Sequence, residues 1–130
     1  MTLVVDASVI VAALIDSGNA GAWADQVLID EHLIAPDLLL VEVTNILRRL
    51  ESSGQLLTPT ASLAQQQLLA LPVEAVPFAP CAERIWELRH NLTGYDAWYV
   101  AAAELASAPL ATLDLRLASA PGVRCRVLTP

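Results

Sequence analysis

Lysine is missing altogether, and all seven cations of this 130-residue chain are arginine. That absence excludes every mechanism built on a catalytic lysine, from Schiff-base chemistry to the phosphate-cradling lysine of a P-loop. Charge of either sign is scarce, 16% of residues against roughly 25% in an average soluble domain. Fourteen acids against seven arginines leave a net charge of −7. A pI near 4.5 excludes a broad basic face as the main source of affinity for nucleic acid, so a polyanionic substrate must be held by something else. The two cysteines, Cys81 and Cys125, are isolated rather than spaced as CxxC, which excludes a zinc knuckle or a redox dithiol. Cys81 follows Pro80 at an expected helix start, where a thiol can be acidified, but a buried inert side chain is the expectation. Aromatics make up only 5%, so the core is aliphatic. No uncharged apolar run approaches the roughly 20 residues of a membrane span. The apolar start of the chain has no cation before it and carries Asp6 within it, unlike a signal peptide. A cytoplasmic protein with no membrane association is expected.

What is abundant is alanine and leucine, 45 positions between them, a composition that favours helices packed closely on another layer. The hydrophobic share of 55% excludes intrinsic disorder. At roughly 150 residues per domain, the chain is expected to be one domain, residues 1–130.

The β-branched run 2–6 reads as a strand that passes directly into a helix over 7–15. A second helix is expected over 19–31, then a brief strand at Leu33, Ile34 and Ala35 stopped by Pro36, with Asp37 capping the next helix. In that helix Leu39, Val43, Ile46, Leu47 and Leu50 form an amphipathic stripe that ends at Ser52, Ser53 and Gly54. Thr58 and Pro59 read as a cap and a first-turn proline for a helix reaching Leu71. A strand follows over 73–76, a helix over 80–90, and another opened by Thr93 and running to about Ser107. Residues 109–113 read as a strand, Asp114 precedes a short helical piece, and 124–128 form a last short strand. Strands alternate with helices throughout, which predicts an α/β fold with a mostly parallel sheet and helices on both faces.

Four acids stand apart because their neighbours are apolar: Asp6, Glu42, Asp96 and Asp114. Buried carboxylates must be paired, hydrogen-bonded or metal-bound. Asp6 and Asp114 each end a strand, and the carboxyl ends of parallel strands are where ligands bind in open α/β sheets. Glu42 lies on the flank of its helix's apolar stripe, and Asp96 lies in a first helical turn. Local roles are available to each. Asp6 or Ser8 can cap the helix after the first strand, Thr93 to Asp96 fits a capping box, Asp114 can cap the piece after it, and Glu is a good helix former. Crowded carboxylates repel one another, and a divalent cation is the natural way to neutralise them.

Four acids in the order Asp, Glu, Asp, Asp on an alternating α/β scaffold resemble the PIN-domain nucleases, and within them the VapC toxins of type II toxin-antitoxin modules. The segments that carry the resemblance are Val4-Val5-Asp6-Ala7-Ser8, Leu40-Val41-Glu42-Val43-Thr44-Asn45-Ile46-Leu47, Leu92-Thr93-Gly94-Tyr95-Asp96-Ala97 and Ala111-Thr112-Leu113-Asp114. The resemblance implies a single PIN-like domain and an Mg2+- or Mn2+-dependent endoribonuclease with Asp6, Glu42, Asp96 and Asp114 as catalytic and metal-binding residues. It also implies homodimers that bind a VapB-type antitoxin, whose tail occupies the active-site groove. Ser8 and Thr112, each two residues from an acid, and Asn45, one helical turn from Glu42, are candidate supporting residues. Arg49 and Arg116 are candidate phosphate contacts, and Arg48 and Arg49 equally suit a solvated helix end. His32 and His90 lack metal-ligand spacing and read as surface residues. The missing lysine argues against a receiver domain, and Ser8 standing where a second Asp belongs argues against a haloacid-dehalogenase-type phosphatase. A better competitor is a PIN-fold protein that binds RNA or an antitoxin without cutting.

Overall fold

A computed structural model describes residues 1–130. Leu3, Val4 and Val5 are buried on both sides of the sheet, as a central parallel strand requires, and form β1 (Thr2–Val5). The chain then runs through α1 (Ala7–Ile15), α2 (Asn19–Leu28), β2 (His32–Pro36), α3 (Leu38–Ser52), α4 (Thr58–Ala70) and β3 (Val73–Val76). A 3₁₀ turn at Ala79–Cys81 leads into α5 (Ala82–Glu87), followed by α6 (Gly94–Ala106), β4 (Leu110–Ala111), α7 (Leu115–Ala118) and β5 (Val127–Leu128).

The five strands are all parallel in the order β3-β2-β1-β4-β5. Starting at the centre, the chain steps outward twice in one direction, then returns past β1 and steps the other way. Right-handed crossovers therefore put α1 to α4 on one face and α5 to α7 on the other. Consistent with this, α1 packs against α2, α3 and α4, while α6 lies across β1, β2 and β4 and against α5. Ala97, Ala101, Ala102 and Ala103 line α6 with almost no exposure, and their short side chains let that helix sit close to the sheet. The topology has one reversal point, between β1 and β4.

Element ends depart from the sequence expectations for local reasons. α2 stops at Leu28 rather than Glu31 because Asp30 turns the chain with φ 61°. Pro36 lies inside β2, not beyond it. The pairing with β1 has ended at Ile34, so Pro36 is bonded on one side only and its missing N–H is tolerated. Asp37 does not cap α3, since its own backbone is already helical at φ −51° and ψ −28°, and a cap residue must be extended. Thr58 likewise belongs to α4, with Leu57 in the cap position. The helix expected over 80–90 is shorter, because the N–H of Leu88 is shared between the carbonyls of Arg84 and Ile85 and the ladder tightens there. β4 and β5 shrink to two residues each, and short outer strands such as β5 limit edge-to-edge pairing.

α1 and α2 meet at an angle of 112°, and the turn depends on Gly21. A Cβ there would stand 1.8 Å from the Asp16 carbonyl oxygen and 3.1 Å from that of Ala12. No single helix is long and apolar enough to cross a membrane. Gly21→Ala should cost about 3 kcal/mol, the upper part of the overpacking range, measured by urea denaturation; an unchanged midpoint would show that the α1–α2 turn yields freely.

Candidate active site

The reversal point of a doubly wound sheet leaves a crevice at the carboxyl ends of its strands. Here the chain places Asp6 directly after β1 and residues 112–114 directly after β4. Asp6 is only 7% exposed, and both of its oxygens are bonded. Ser8 Oγ donates to Oδ1 at 2.5 Å and the Val9 N–H at 3.3 Å, while the hydroxyl of fully buried Thr112 donates to Oδ2. The same hydroxyls also accept: Ser8 Oγ from the Leu113 N–H at 3.0 Å and Thr112 Oγ1 from the Asp114 N–H at 2.9 Å. Asp6 caps α1 as well, so capping and site-building are two uses of one carboxylate.

Glu42 comes from α3 and Asp96 from the first turn of α6. Thr93 caps α6 by accepting the Asp96 N–H at 3.2 Å, but the return bond of a full capping box, from the Thr93 N–H to the Asp96 carboxylate, is not made. Glu42 Oε1 accepts a 2.7 Å hydrogen bond from the hydroxyl of Tyr99, one turn after Asp96 and 2% exposed. Tyr99 thus ties the α3 acid to the α6 acid and leaves Glu42 Oε2 without a protein donor. The sequence reading missed this residue. Its spacing of three from Asp96 was visible, but an aromatic on an apolar helix face reads as core. Burial and the neighbouring carboxylate of Glu42 push the Tyr99 phenol well above its usual range, so it stays a donor.

The other candidates fall in several places. Asp114 caps α7 through the Arg116 and Leu117 N–H groups and pairs with the Arg116 guanidinium at 3.3 Å. Slight burial opposes its ionisation, but the bonds from Arg116 win and hold its carboxyl below the usual range. Its charge still reaches Asp96. Asn45 is exposed and accepts from Arg48 Nε at 3.0 Å. Arg49 lines an open apolar groove of about 640 Å³ with Val11, Ile15, Ile46 and Leu50, and the groove begins at Ser8 and Leu113 beside the Asp6 cluster. His32 pairs with Glu74 at the surface, 2.9 Å apart. Cys81 is buried, and burial pushes its thiol up rather than activating it.

No ion pair of the molecule includes Asp6, Glu42 or Asp96. Burial raises all three carboxyls above their usual range. For Asp6 it outweighs the hydrogen bonds from Ser8 and Thr112. For Glu42 the charges of Asp96 and Asp6 add to it, and for Asp96 the charge of Asp114 adds while Arg116 opposes. The three do not close on one point as a ready-made ligand cage. An open, oxygen-only set suits magnesium, which takes one or two carboxylates and fills its remaining positions with water and phosphate oxygens. The residues present therefore fit a hard divalent cation.

A carboxyl raised in the folded state takes stability away as pH climbs from its unfolded value through its folded value, and the deficit persists at neutral pH. Asp114 has the opposite sign, its contribution being lost as pH falls through its lowered value. Glu42→Gln and Asp96→Asn should each raise Tm by a few degrees at pH 7.5 in chelator, with a smaller gain near pH 5. Manganese should raise the Tm of the parent protein more than that of either variant. Variants less stable than the parent at pH 7.5 would show these acids to be structural.

The PIN domain family model matches residues 3–123. A VapC ribonuclease of Mycobacterium bovis is 39% identical over 125 residues, 96% of this chain and 95% of its own length. Among solved structures, the fold is similar to VapC20 of Mycobacterium tuberculosis, described as a toxin that cleaves the sarcin-ricin loop. That likeness has a TM-score of 0.70 at 18% identity over 98% of this chain and 99% of the other. It is also similar to a chain of VapBC2 from Rickettsia felis, solved on a DNA fragment from its promoter, with a TM-score of 0.69 at 13% identity over 99% and 98%. With a family match across nearly the whole sequence and a relative this similar from end to end, the chain belongs to the PIN domain family, among its VapC members.

Proposed function

We propose that this chain is a VapC-type toxin of the cytoplasm, an endoribonuclease that uses magnesium or manganese and is held inactive by a VapB-type antitoxin. The observation that carries the reading is the set of three acids outside any ion pair, Asp6, Glu42 and Asp96, gathered at the reversal point of the sheet. Three raised carboxyls cost stability and belong to no ion pair, so their use lies in what they bind. The relative named a ribonuclease supports the same activity here.

Asp6 and Asp96, with Glu42, would hold the ion, and Asp114 acts more remotely by adding negative potential at Asp96. When bound, a divalent ion supplies the charge that acidifies a water nucleophile and offsets charge on the scissile phosphate. Ser8 and Thr112 fix both Asp6 oxygens, so that carboxylate does not swing when substrate arrives. Tyr99 fixes one oxygen of Glu42 and leaves the other free to accept a proton from water. Hydrolysis forms a bond from water oxygen to phosphorus and breaks the bond from phosphorus to one ribose oxygen. Arg116, 88% exposed beside Asp114, is placed to contact a phosphate of the strand.

The apolar groove that begins at Ser8 and Leu113 gives an antitoxin segment a seat from which it reaches the acids. The solved VapBC2 complex, a toxin-antitoxin pair by its name, supports such a partner. Exposed Leu40, Val41, Leu63 and Leu69 offer apolar surface for a homodimer.

Antitoxin-free protein should cut transfer RNA or total RNA with magnesium or manganese and not with chelator, and Asp6→Asn should lower the rate at least about 100-fold. Absence of cutting across several RNAs, in protein shown to be free of antitoxin, would establish a PIN-fold binder that does not cut. Tyr99→Phe keeps the ring in the core and removes only the hydroxyl. It should lower kcat about tenfold and raise the manganese concentration needed for half-maximal activity, with Tm held within a few degrees; unchanged kinetics would reduce Tyr99 to packing.

A further inference from the structure

Only seven cations serve an acidic chain, and the fold sets three of them away from the acid cluster. Arg84 is tied to Glu104, Glu87 and the Gly122 carbonyl. Arg124 and Arg126 line a cavity beside Met1 and Ala108, at the amino-terminal end of the strands. Two of the remainder meet next to Asp96. A polar groove of about 340 Å³ opens there, with Arg89, His90 and Asn91 from the α5–α6 connection, Asp96 itself, and Arg116 from α7.

Arg89 is set in place rather than left to solvent. Its guanidinium carbon lies 4.4 Å from the ring centroid of Trp86, and NH1 donates to the Trp86 carbonyl at 2.7 Å. It makes no ion pair, and its other nitrogens have no protein acceptor. Trp86, 68% exposed, has no core role that would explain a large ring at this surface. Stacking on an aromatic face holds the arginine's plane and removes rotamer entropy before any ligand arrives. His90 and Asn91 add donors on the same wall, and Asn91 is itself anchored to the Pro121 carbonyl at 3.1 Å.

We propose that this groove is a backbone subsite for single-stranded RNA, in which Arg89, stiffened by Trp86, and Arg116 take phosphates flanking the one presented to the acids. It rests on the ribonuclease reading and adds the path of the strand. A groove of this size takes one strand with its bases turned out, whereas a duplex presents its phosphates across a much wider surface. Trp86, Arg89 and His90 are close in sequence, but the meeting of Arg89 and His90 with Arg116 beside Asp96 is made only by the fold. The sequence alone gave His90 a bare surface role.

The test separates binding from cutting. Full-length protein carrying Asp6→Asn is titrated into a fluorescein-labelled single-stranded RNA of about ten nucleotides, and anisotropy is followed at several salt concentrations. Adding Arg89→Ala should weaken binding roughly fivefold and lower the slope of log K against log salt by about 0.7, the signature of one lost phosphate contact. Trp86→Ala should weaken binding while keeping the slope, because the charge remains and only its placement is lost. Arg124→Ala removes the same charge from the far end and should leave affinity within about twofold; Tm confirms that each variant is folded. Equal weakening by Arg89→Ala and Arg124→Ala would reduce the effect to net charge and overturn the subsite, as would no binding by Asp6→Asn protein to an RNA that the parent cuts. Antitoxin-free parent that binds RNA through Arg89 yet cuts none of several RNAs would keep the subsite and overturn the ribonuclease reading.

Discussion

Everything at the functional end of this molecule hangs on the two hydroxyls that hold Asp6. Ser8 and Thr112 each donate to one oxygen of the carboxylate and accept a backbone N–H from the segment after β4. The four bonds lock the end of β1 to the end of β4 at the one place where the sheet reverses direction. Hydroxyls suit the task because each is donor and acceptor at once, so a buried anion and two buried amides are satisfied together. A carboxylate 7% exposed with no cationic partner is tolerable only under such conditions.

Against this bonded frame, the electrostatics are deliberately unfavourable. Asp6, Glu42 and Asp96 share a region in which no arginine pairs with any of them, while Arg84 is spent on pairs with Glu104 and Glu87 and on the Gly122 turn. Conflict concentrated in one crevice is a common mark of a site that binds something of opposite charge. Asp114 differs in kind from the other three. Its carboxylate is satisfied by two N–H groups and a guanidinium, so it is a comfortable anion that biases its neighbours from outside the strained set.

How much of this could be read from the sequence depends on the range of the interaction. Alternation of strands and helices, the central strand at Leu3 to Val5 and the stripe of α3 are local patterns, and they were legible. The four acids stand out in the sequence because each interrupts an apolar stretch at an element end or helix flank. Caps at Asp37 and Thr58 were misjudged because capping depends on a backbone dihedral as well as on residue type. The role of Tyr99 was invisible for a different reason: the docking of α6 across β1 and β2 aims its hydroxyl at an acid 57 residues away. The full list of bonds on Asp6 was out of reach too, since its partner Thr112 stands 106 positions further on.

That separation has a consequence for how the chain comes into being. β1, at the centre of the sheet, is made before its β4 neighbour, and the Thr112 hydroxyl that completes the Asp6 site leaves the ribosome 106 residues after Asp6. No nascent chain that stops before β4 holds the assembled crevice. A copy interrupted before Thr112 carries Asp6, Glu42 and Asp96 without the frame that arranges them, so on the proposed reading no RNA-cutting crevice exists until β4 has been made.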